Sequence, residues 1–166
     1  MAIEKVRQYL KQWNREGDII ELDASTATVA DAAAALGVDP ARIAKSISLK
    51  RPENFRALPD AGERGPAFII VTAGDMKLDN RKFKDFFGFK AKMLSPEEAL
   101  EYTGHAVGGV CPFGLPPETG VYLDISIKRF TTVYPACGSG NSAIELTPEE
   151  LQEYSGSNRW IDVCAG

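Results

Sequence analysis

The stretch Gly108-Gly109-Val110-Cys111-Pro112-Phe113-Gly114-Leu115-Pro116 puts three glycines and two prolines into nine residues. That density excludes a helix interior and a central strand, since glycine adds backbone entropy and proline lacks the N–H that both ladders need. The segment is a loop. A loop of this composition either joins two elements or brings backbone N–H and C=O groups to the floor of a pocket. A second element favours the pocket. In Arg42-Ile43-Ala44-Lys45-Ser46-Ile47-Ser48-Leu49 a single lysine stands where a short helix feeds an apolar strand.

Hydrophobic residues make up 44% of the 166-residue chain and charged residues 25%, the balance of a globular domain with a real core. No apolar run reaches membrane-spanning length, and the charged start Met1-Ala2-Ile3-Glu4-Lys5-Val6-Arg7 lacks the apolar centre of a signal peptide. The expectation is a cytoplasmic protein with no membrane partner. Cys111, Cys137 and Cys164 are an odd, widely spaced set. With only His105 beside them, they predict neither a disulfide framework nor a metal site.

A net charge of −4 argues against nonspecific nucleic-acid binding, but the charge is uneven. Lys77, Arg81, Lys82, Lys84, Lys90 and Lys92 face only Asp79 and Asp85 between positions 77 and 92, a local excess of +4. Such a run is either a solvated helix face or a patch for a phosphate backbone.

Helical spacing of Ile3, Val6, Leu10 and Trp13 predicts an opening helix ended by Gly17. A short strand over 18–22 follows, then a helix capped by Thr28 and closed by Gly37. Asp39-Pro40 starts a short helix over 41–44, and 47–50 reads as a strand. Residues 51–66 read as an exposed hairpin loop and 68–72 as a buried strand. Asp79 or Asn80 caps a helix carrying Phe83, Phe86 and Phe87, and 91–94 reads as a strand. Ser95-Pro96-Glu97-Glu98 and Thr147-Pro148-Glu149-Glu150 are capped helix starts. Strands are expected over 121–124, 132–134 and 143–146. The irregular alternation excludes a doubly wound sheet and predicts a single α+β domain over 1–166, with a mixed and partly barrel-like β-sheet flanked by helices.

Four groups could carry chemistry. Lys45 is either a snorkelling surface lysine or a fixed ammonium for a phosphate or carboxylate. Cys111, six residues after His105, is either a small packing residue or the nucleophile of a thiol hydrolase. Asp124, ending an apolar strand, is a turn cap or a polar pocket group. Ala136-Cys137-Gly138-Ser139-Gly140-Asn141, with two glycines and a serine, is either a plain hairpin turn or a second ligand-facing loop.

Taken in order, Ala32-Ala33-Ala34-Ala35-Leu36-Gly37-Val38, Arg42-Ile43-Ala44-Lys45-Ser46 and Val107-Gly108-Gly109-Val110-Cys111-Pro112-Phe113-Gly114 resemble the YbaK/prolyl-tRNA synthetase-associated editing-domain family. Val121-Tyr122-Leu123-Asp124, the Gly138-Ser139 turn and Ile144-Glu145-Leu146-Thr147 extend the resemblance, which runs from about Thr26 to Leu151. It implies a free-standing domain that hydrolyses the ester of a tRNA carrying a wrong small amino acid, such as alanine or cysteine. It implies no metal and no organic cofactor. The partner implied is the aminoacylated 3′ end of a tRNA, with an aminoacyl-tRNA synthetase as a further one. Lys45 would hold a phosphate near that end, while Gly108, Gly109 and Gly114 supply backbone groups around the ester. Ser46, Val110, Cys111, Pro112, Phe113, Asp124, Gly138 and Ser139 would shape the substrate site. Ser46 stands where threonine or asparagine is more usual, and Cys111 at a variable place of the loop motif; both bear on the amino-acid pocket. An aminoacyl ester is already activated, so positioned water and oxyanion donors suffice for its hydrolysis. A noncatalytic module binding an aminoacyl or nucleotide ligand, and a Cys111-dependent hydrolase, are the competing readings.

Overall fold

The computed structural model describes residues 2–52, 65–157 and 159–166. Ile3, Val6 and Leu10 form the buried stripe of α1 (Ala2–Leu10). The helix tightens into a 3-10 turn at Lys11–Trp13 and stops at Asn14, which takes the left-handed conformation (φ 57°) ahead of the expected Gly17. Of the strand expected over 18–22 only β1 (Ile20–Glu21) is paired. Thr28 caps α2 (Val29–Leu36) by accepting from the Asp31 N–H, and Gly37 closes it.

Asp39-Pro40 starts only a 3-10 turn, Pro40–Arg42, and β2 (Ile43–Lys50) begins at Ile43 rather than Ile47. Lys45 therefore lies inside a strand and not at a junction. Long-range pairing overrides the local helix signal here. The expected hairpin loop over 51–66 falls largely on residues 53–64, outside the described residues; at its base the Arg51 N–H donates to the Pro66 carbonyl at 2.9 Å. β3 (Ala67–Ala73) is buried at every position.

After β4 (Lys77–Leu78), Asp79 caps α3 (Asn80–Phe87) by accepting from the N–H groups of Arg81 and Lys82. The strand expected over 91–94 is reduced to one bridge, Met93 opposite Leu49. Capping boxes start both α4 (Pro96–Thr103) and, after β5 (Gly120–Asp124), β6 (Tyr134–Pro135) and β7 (Ser142–Ala143), α5 (Pro148–Ser155). Two short strands, β8 (Trp160–Ile161) and β9 (Cys164–Ala165), end the chain; neither was expected, because two-residue strands carry no periodicity.

The main sheet runs in the order β6-β2-β3-β5-β8, with β2 antiparallel to β3 and the other neighbours parallel. β1–β7 and β4–β9 form two antiparallel ribbons. The architecture is α+β with a mixed sheet. Alternation along the strands divides the core. One face gathers Val6, Leu10, Ile69, Val71, Phe113, Leu123 and Leu146; the other gathers Ile47, Leu49, Phe68, Ile70, Tyr122 and the phenylalanines of α3. On that second face Phe83 lies 4.5 Å from Phe87 and 5.6 Å from Phe89, centroid to centroid.

Because Phe83 is fully buried among other rings, Phe83→Ala should lower unfolding free energy by about 3–5 kcal/mol. Thr147→Ala, which removes only the cap of α5, should cost about 1 kcal/mol. Urea denaturation with unchanged slope checks both, and equal losses would show that the aromatic face is not the stronger contributor.

Candidate active site

The β2 edge creates a concavity. β6 pairs with β2 only at Ile43 and Ala44, and the next contact on that edge is at Ser48 to Lys50, where the Leu94 N–H reaches the Ser48 carbonyl (3.2 Å) and the Lys50 N–H the Lys92 carbonyl (2.8 Å). Between these contacts no strand among the described residues pairs with that edge. Backbone groups alternate sides along a strand, so the N–H and C=O of Ser46 face the gap.

A cavity of about 460 Å³ occupies it, well within the usual size of small-molecule sites. Ser46 and Ser48 line one wall, and Thr26, Ala27, Val29 and Ala32 a second. Gly108 and Val110 form a third, Ala136, Ser142 and Ala143 a fourth. Most of these side chains are small, which is what leaves the space. Met93 and Val107, among the most exposed large apolar residues, stand at its rim.

Two glycines of the loop are sterically required. Gly108 has φ +96°, and a Cβ there would sit 3.1 Å from the Ala27 Cβ. Gly109 rests on the turn at Gly138 and Ser139, where a Cβ would come within 2.7 Å of the Ser139 nitrogen. The glycine loop and the 138–139 turn do converge, but as backbone stacked on backbone. The Gly109 N–H is occupied by the Ala106 carbonyl at 2.9 Å and is no free donor.

The rest of the loop turns inward. Cys111, Pro112 and Phe113 are buried, and Phe113 joins the core beside Val6 and Leu10. Gly114 lies against Lys5, and Gly138 against the Ala2 carbonyl. Asp124 is a cap: its carboxylate accepts from the Ser126 N–H (2.9 Å) and the Val163 N–H (3.0 Å). Ser139 stands one residue behind the wall, its Oγ 2.6 Å from that of Ser142. Of the side chains expected at the site, Lys45, Ser46 and Val110, with the backbone of Gly108, line the cavity. Gly109, Cys111, Pro112, Phe113, Gly114, Asp124, Gly138 and Ser139 support it from behind or lie away from it.

Lys45 pairs with Thr72 and shares its face of β2 with Ile47 and Leu49, whereas Ser46 shares the cavity face with Ala44 and Ser48. The Lys45 ammonium donates to the Met76 carbonyl at 2.6 Å. Two of its three donors remain. Burial lowers its pKa, with neighbouring Lys77 adding to the effect and Asp75 opposing it. Asp75 does not neutralise it, because that carboxylate is held by the Arg129 guanidinium at 2.6 and 3.1 Å. Lys45 is thus a half-buried cation at the cavity edge, without a carboxylate partner within 4 Å among the described residues. Beside it Ser46 Oγ is buried with no hydrogen-bond partner. A buried hydroxyl left unpaired costs stability and is a natural place for a ligand group.

The thiol reading fares differently. Cys111 Sγ is 3.5 Å from His105 Nε2, but both residues are fully buried and neither lines the cavity. His105 Nε2 carries the proton, since it bonds the Phe113 carbonyl at 2.8 Å, an acceptor only. Burial pushes the Cys111 thiol up to about 12 and the imidazole down. Neither group is poised to make or hold a thiolate.

The cavity walls at 26–29 and 93–94, with Tyr134, Ser142 and Ala143, escaped the sequence reading, whereas Ala136 belongs to the turn that it offered as a ligand-facing loop. Ser48 was legible in principle, as the period-two partner of Ser46. Among the described residues no cluster of three or more His, Cys, Asp or Glu side chains could hold a metal ion, and no helix is long and apolar enough to cross a membrane.

Residues 23–154 match the model of the aminoacyl-tRNA editing domain. The chain belongs to that family. It is 56% identical to the uncharacterized protein YwhH of Bacillus subtilis, over 99% of this chain and 98% of that one. It is 26% identical to the "Putative Cys-tRNA(Pro)/Cys-tRNA(Cys) deacylase EbsC" of Enterococcus faecalis, over 66% and 67% of the two chains. Among solved structures, one described as a "putative trans-editing enzyme for prolyl tRNA synthetase" superposes with a TM-score of 0.82 at 28% identity, covering 99% of this chain and 98% of that one. The editing-domain match leaves α1, β8 and β9 outside its span, although α1 supplies Val6 and Leu10 to the core.

All three thiols of this editing domain are buried and unpaired. Iodoacetamide at neutral pH should therefore leave the folded protein unlabelled and label it only after denaturation. Rapid alkylation of Cys111 in the native state, read by peptide mass spectrometry, would reopen the thiol mechanism.

Proposed function

We propose that the cavity receives the aminoacylated 3′ end of a tRNA and that the chain hydrolyses the ester in trans, releasing a wrongly attached small amino acid. The observation that carries this reading is the pairing of one uncompensated ammonium, Lys45, with the unpartnered Ser46 hydroxyl at a cavity otherwise walled by small side chains and backbone.

In this reading the Lys45 ammonium binds a phosphate beside the terminal nucleotide, as a charge-assisted contact. The amino-acid side chain enters between Ala27, Ala136 and Ala143. Ser46 hydrogen-bonds the aminoacyl group, and its edge N–H and C=O are available to the same group. Water attacks the ester carbonyl; the tetrahedral oxyanion faces loop backbone at Gly108 and Val110; the ribose oxygen leaves and takes up a proton. No protein nucleophile is needed, in keeping with the sealed Cys111. Exclusion by size discriminates by about 1–3 kcal/mol per methylene, so alanine, cysteine and serine are not separated by large factors. A tRNA is the expected partner, and the synthetase that mischarges it a further one.

The test is a deacylation panel with tRNAs bearing Ala, Cys, Ser, Thr and Pro. Lys45→Ala should lose about ten- to a hundredfold in efficiency, the range of a lost charged hydrogen bond. Full activity in folded Lys45→Ala would remove the lysine from the mechanism. Tight binding of charged tRNA without turnover would instead establish the noncatalytic module.

Lysine holds a phosphate only when protonated. With the Lys45 pKa lowered from its ordinary 10.5, the contact is complete well below that value and is lost as pH rises through the depressed one. The apparent KM of the wild type should therefore begin to climb at a pH below 10.5. Lys45→Arg, whose charge persists, should flatten that climb. A KM independent of pH up to 10.5 in the wild type would contradict a depressed lysine at this position.

A further inference from the structure

A second concavity, of about 500 Å³, opens beside α3 and is lined by Asn80, Arg81, Lys84, Lys90 and Ala91. Arg81 and Lys84 are exposed one helical turn apart, and Lys90 follows the turn at Gly88. Among the described residues no carboxylate lies within 4 Å of these three cations. Asp79 is engaged with the N–H groups of Arg81 and Lys82 at the helix start. Asp85 is exposed and forms no ion pair among the described residues.

Lys82, in the same run, differs. Its ammonium donates to Asp162 at 3.0 Å and to the Cys164 carbonyl at 2.9 Å. It ties α3 to the C-terminal segment and is not part of the groove. The structure thus divides a charge run that is uniform in sequence into one structural lysine and three uncompensated cations around a hollow.

A short segment of chain joins the lining of the groove to that of the candidate active site. Ala91 borders it, Met93 and Leu94 border the cavity, and exposed Lys92 lies between them. The Lys50 N–H bonded to the Lys92 carbonyl pins this connection to the edge of β2. Ala91 and Met93 are at most about 7 Å apart along the chain, so exposed Lys90 and Lys92 stand on the segment that borders both hollows. One small anion would fill a single site. Three or four cations on a continuous path, in a chain of net charge −4, suit a linear polyanion.

We propose that this groove binds backbone phosphates of the RNA whose 3′ end enters the cavity, through Arg81, Lys84 and Lys90. The inference rests on the reading of the cavity given above, and adds where the rest of the acceptor arm lies. Such contacts are made equally in ground and transition states, so they set capture rather than the chemical step.

The test uses an uncharged RNA hairpin with a single-stranded 3′ end, titrated by fluorescence anisotropy over a salt series. Each phosphate contact contributes about 0.7–0.9 to the slope of log K against log salt. Arg81→Gln/Lys84→Gln/Lys90→Gln should make that slope shallower by about 2 to 3. The charge-keeping variant Arg81→Lys/Lys84→Arg/Lys90→Arg should retain it, and so should Lys82→Gln. With charged tRNA, the triple Gln variant should raise KM and leave kcat unchanged. Identical slopes in the wild type and the triple Gln variant would overturn the proposal. So would displacement of the hairpin by millimolar inorganic phosphate, which would mark a small-anion site. A wild type that binds the hairpin through these residues but deacylates no tRNA would overturn the deacylase reading and leave the groove standing.

Discussion

The antiparallel register of β2 on β3 is the constraint on which the site depends. It runs from Ala44 opposite Ala73 to Lys50 opposite Ala67. Because β3 is buried on both faces, each residue of β2 has a fixed side. Ile47 and Leu49 must meet the aromatic face, so Lys45 falls there too; Ala44, Ser46 and Ser48 must then face the cavity. A slip of one residue would exchange Lys45 with Ser46 and put polar groups under the phenylalanines of α3. The sheet core is therefore what sets a cation and an unpaired hydroxyl side by side on adjacent residues, directed to different sides of one strand edge.

The glycine loop shows how one segment serves core and cavity at once. Its first half is thin enough to pack against Ala27 at Gly108 and against the 138–139 backbone at Gly109. Its second half inserts Cys111 and Phe113 into the core, where His105 holds the Phe113 carbonyl. Burying the apolar half fixes the position of the half that faces the cavity. That is how a loop without secondary structure is held in a fixed position beside a cavity.

What the sequence made legible follows from range. Thr28, Asp79, Ser95 and Thr147 act within a few residues of themselves, and all four caps were readable and are present. The continuous apolar run of β3 was readable because burial on both faces leaves no other pattern. The early start of β2 was not, since Asp39-Pro40 signals a helix locally and only pairing with a distant strand overrides it. For the same reason Lys45 was seen as important but placed at a junction. Asp124 and Cys111 carry chemistry in many proteins, and their residue types alone could not show that one is a cap and the other is sealed in the core. The cavity walls at Ala27, Met93 and Ala143 were invisible, because small or apolar residues that border a space look like residues that fill one.

The C-terminal segment, beyond the family span, has a consequence for the lysine. The carbonyl that holds the Lys45 ammonium belongs to Met76, next to β4, and β4 is paired with β9 through Lys77 opposite Ala165 and Leu78 opposite Cys164. That ribbon is fastened from two sides. The Asp79 N–H donates to the Val163 carbonyl at 2.8 Å, and the Val163 N–H donates to Asp124. Lys82 adds its bonds to Asp162 and Cys164. The buried carboxylate of Asp124, expected at the site, thus acts at a distance: it anchors the strand that steadies the turn on which the cation rests. A half-buried ammonium has few ways to keep its charge, and a fixed carbonyl acceptor is one that leaves its remaining donors for a ligand. The end of the chain, through β9 and its pairing with β4, helps keep Lys45 in place at the cavity edge.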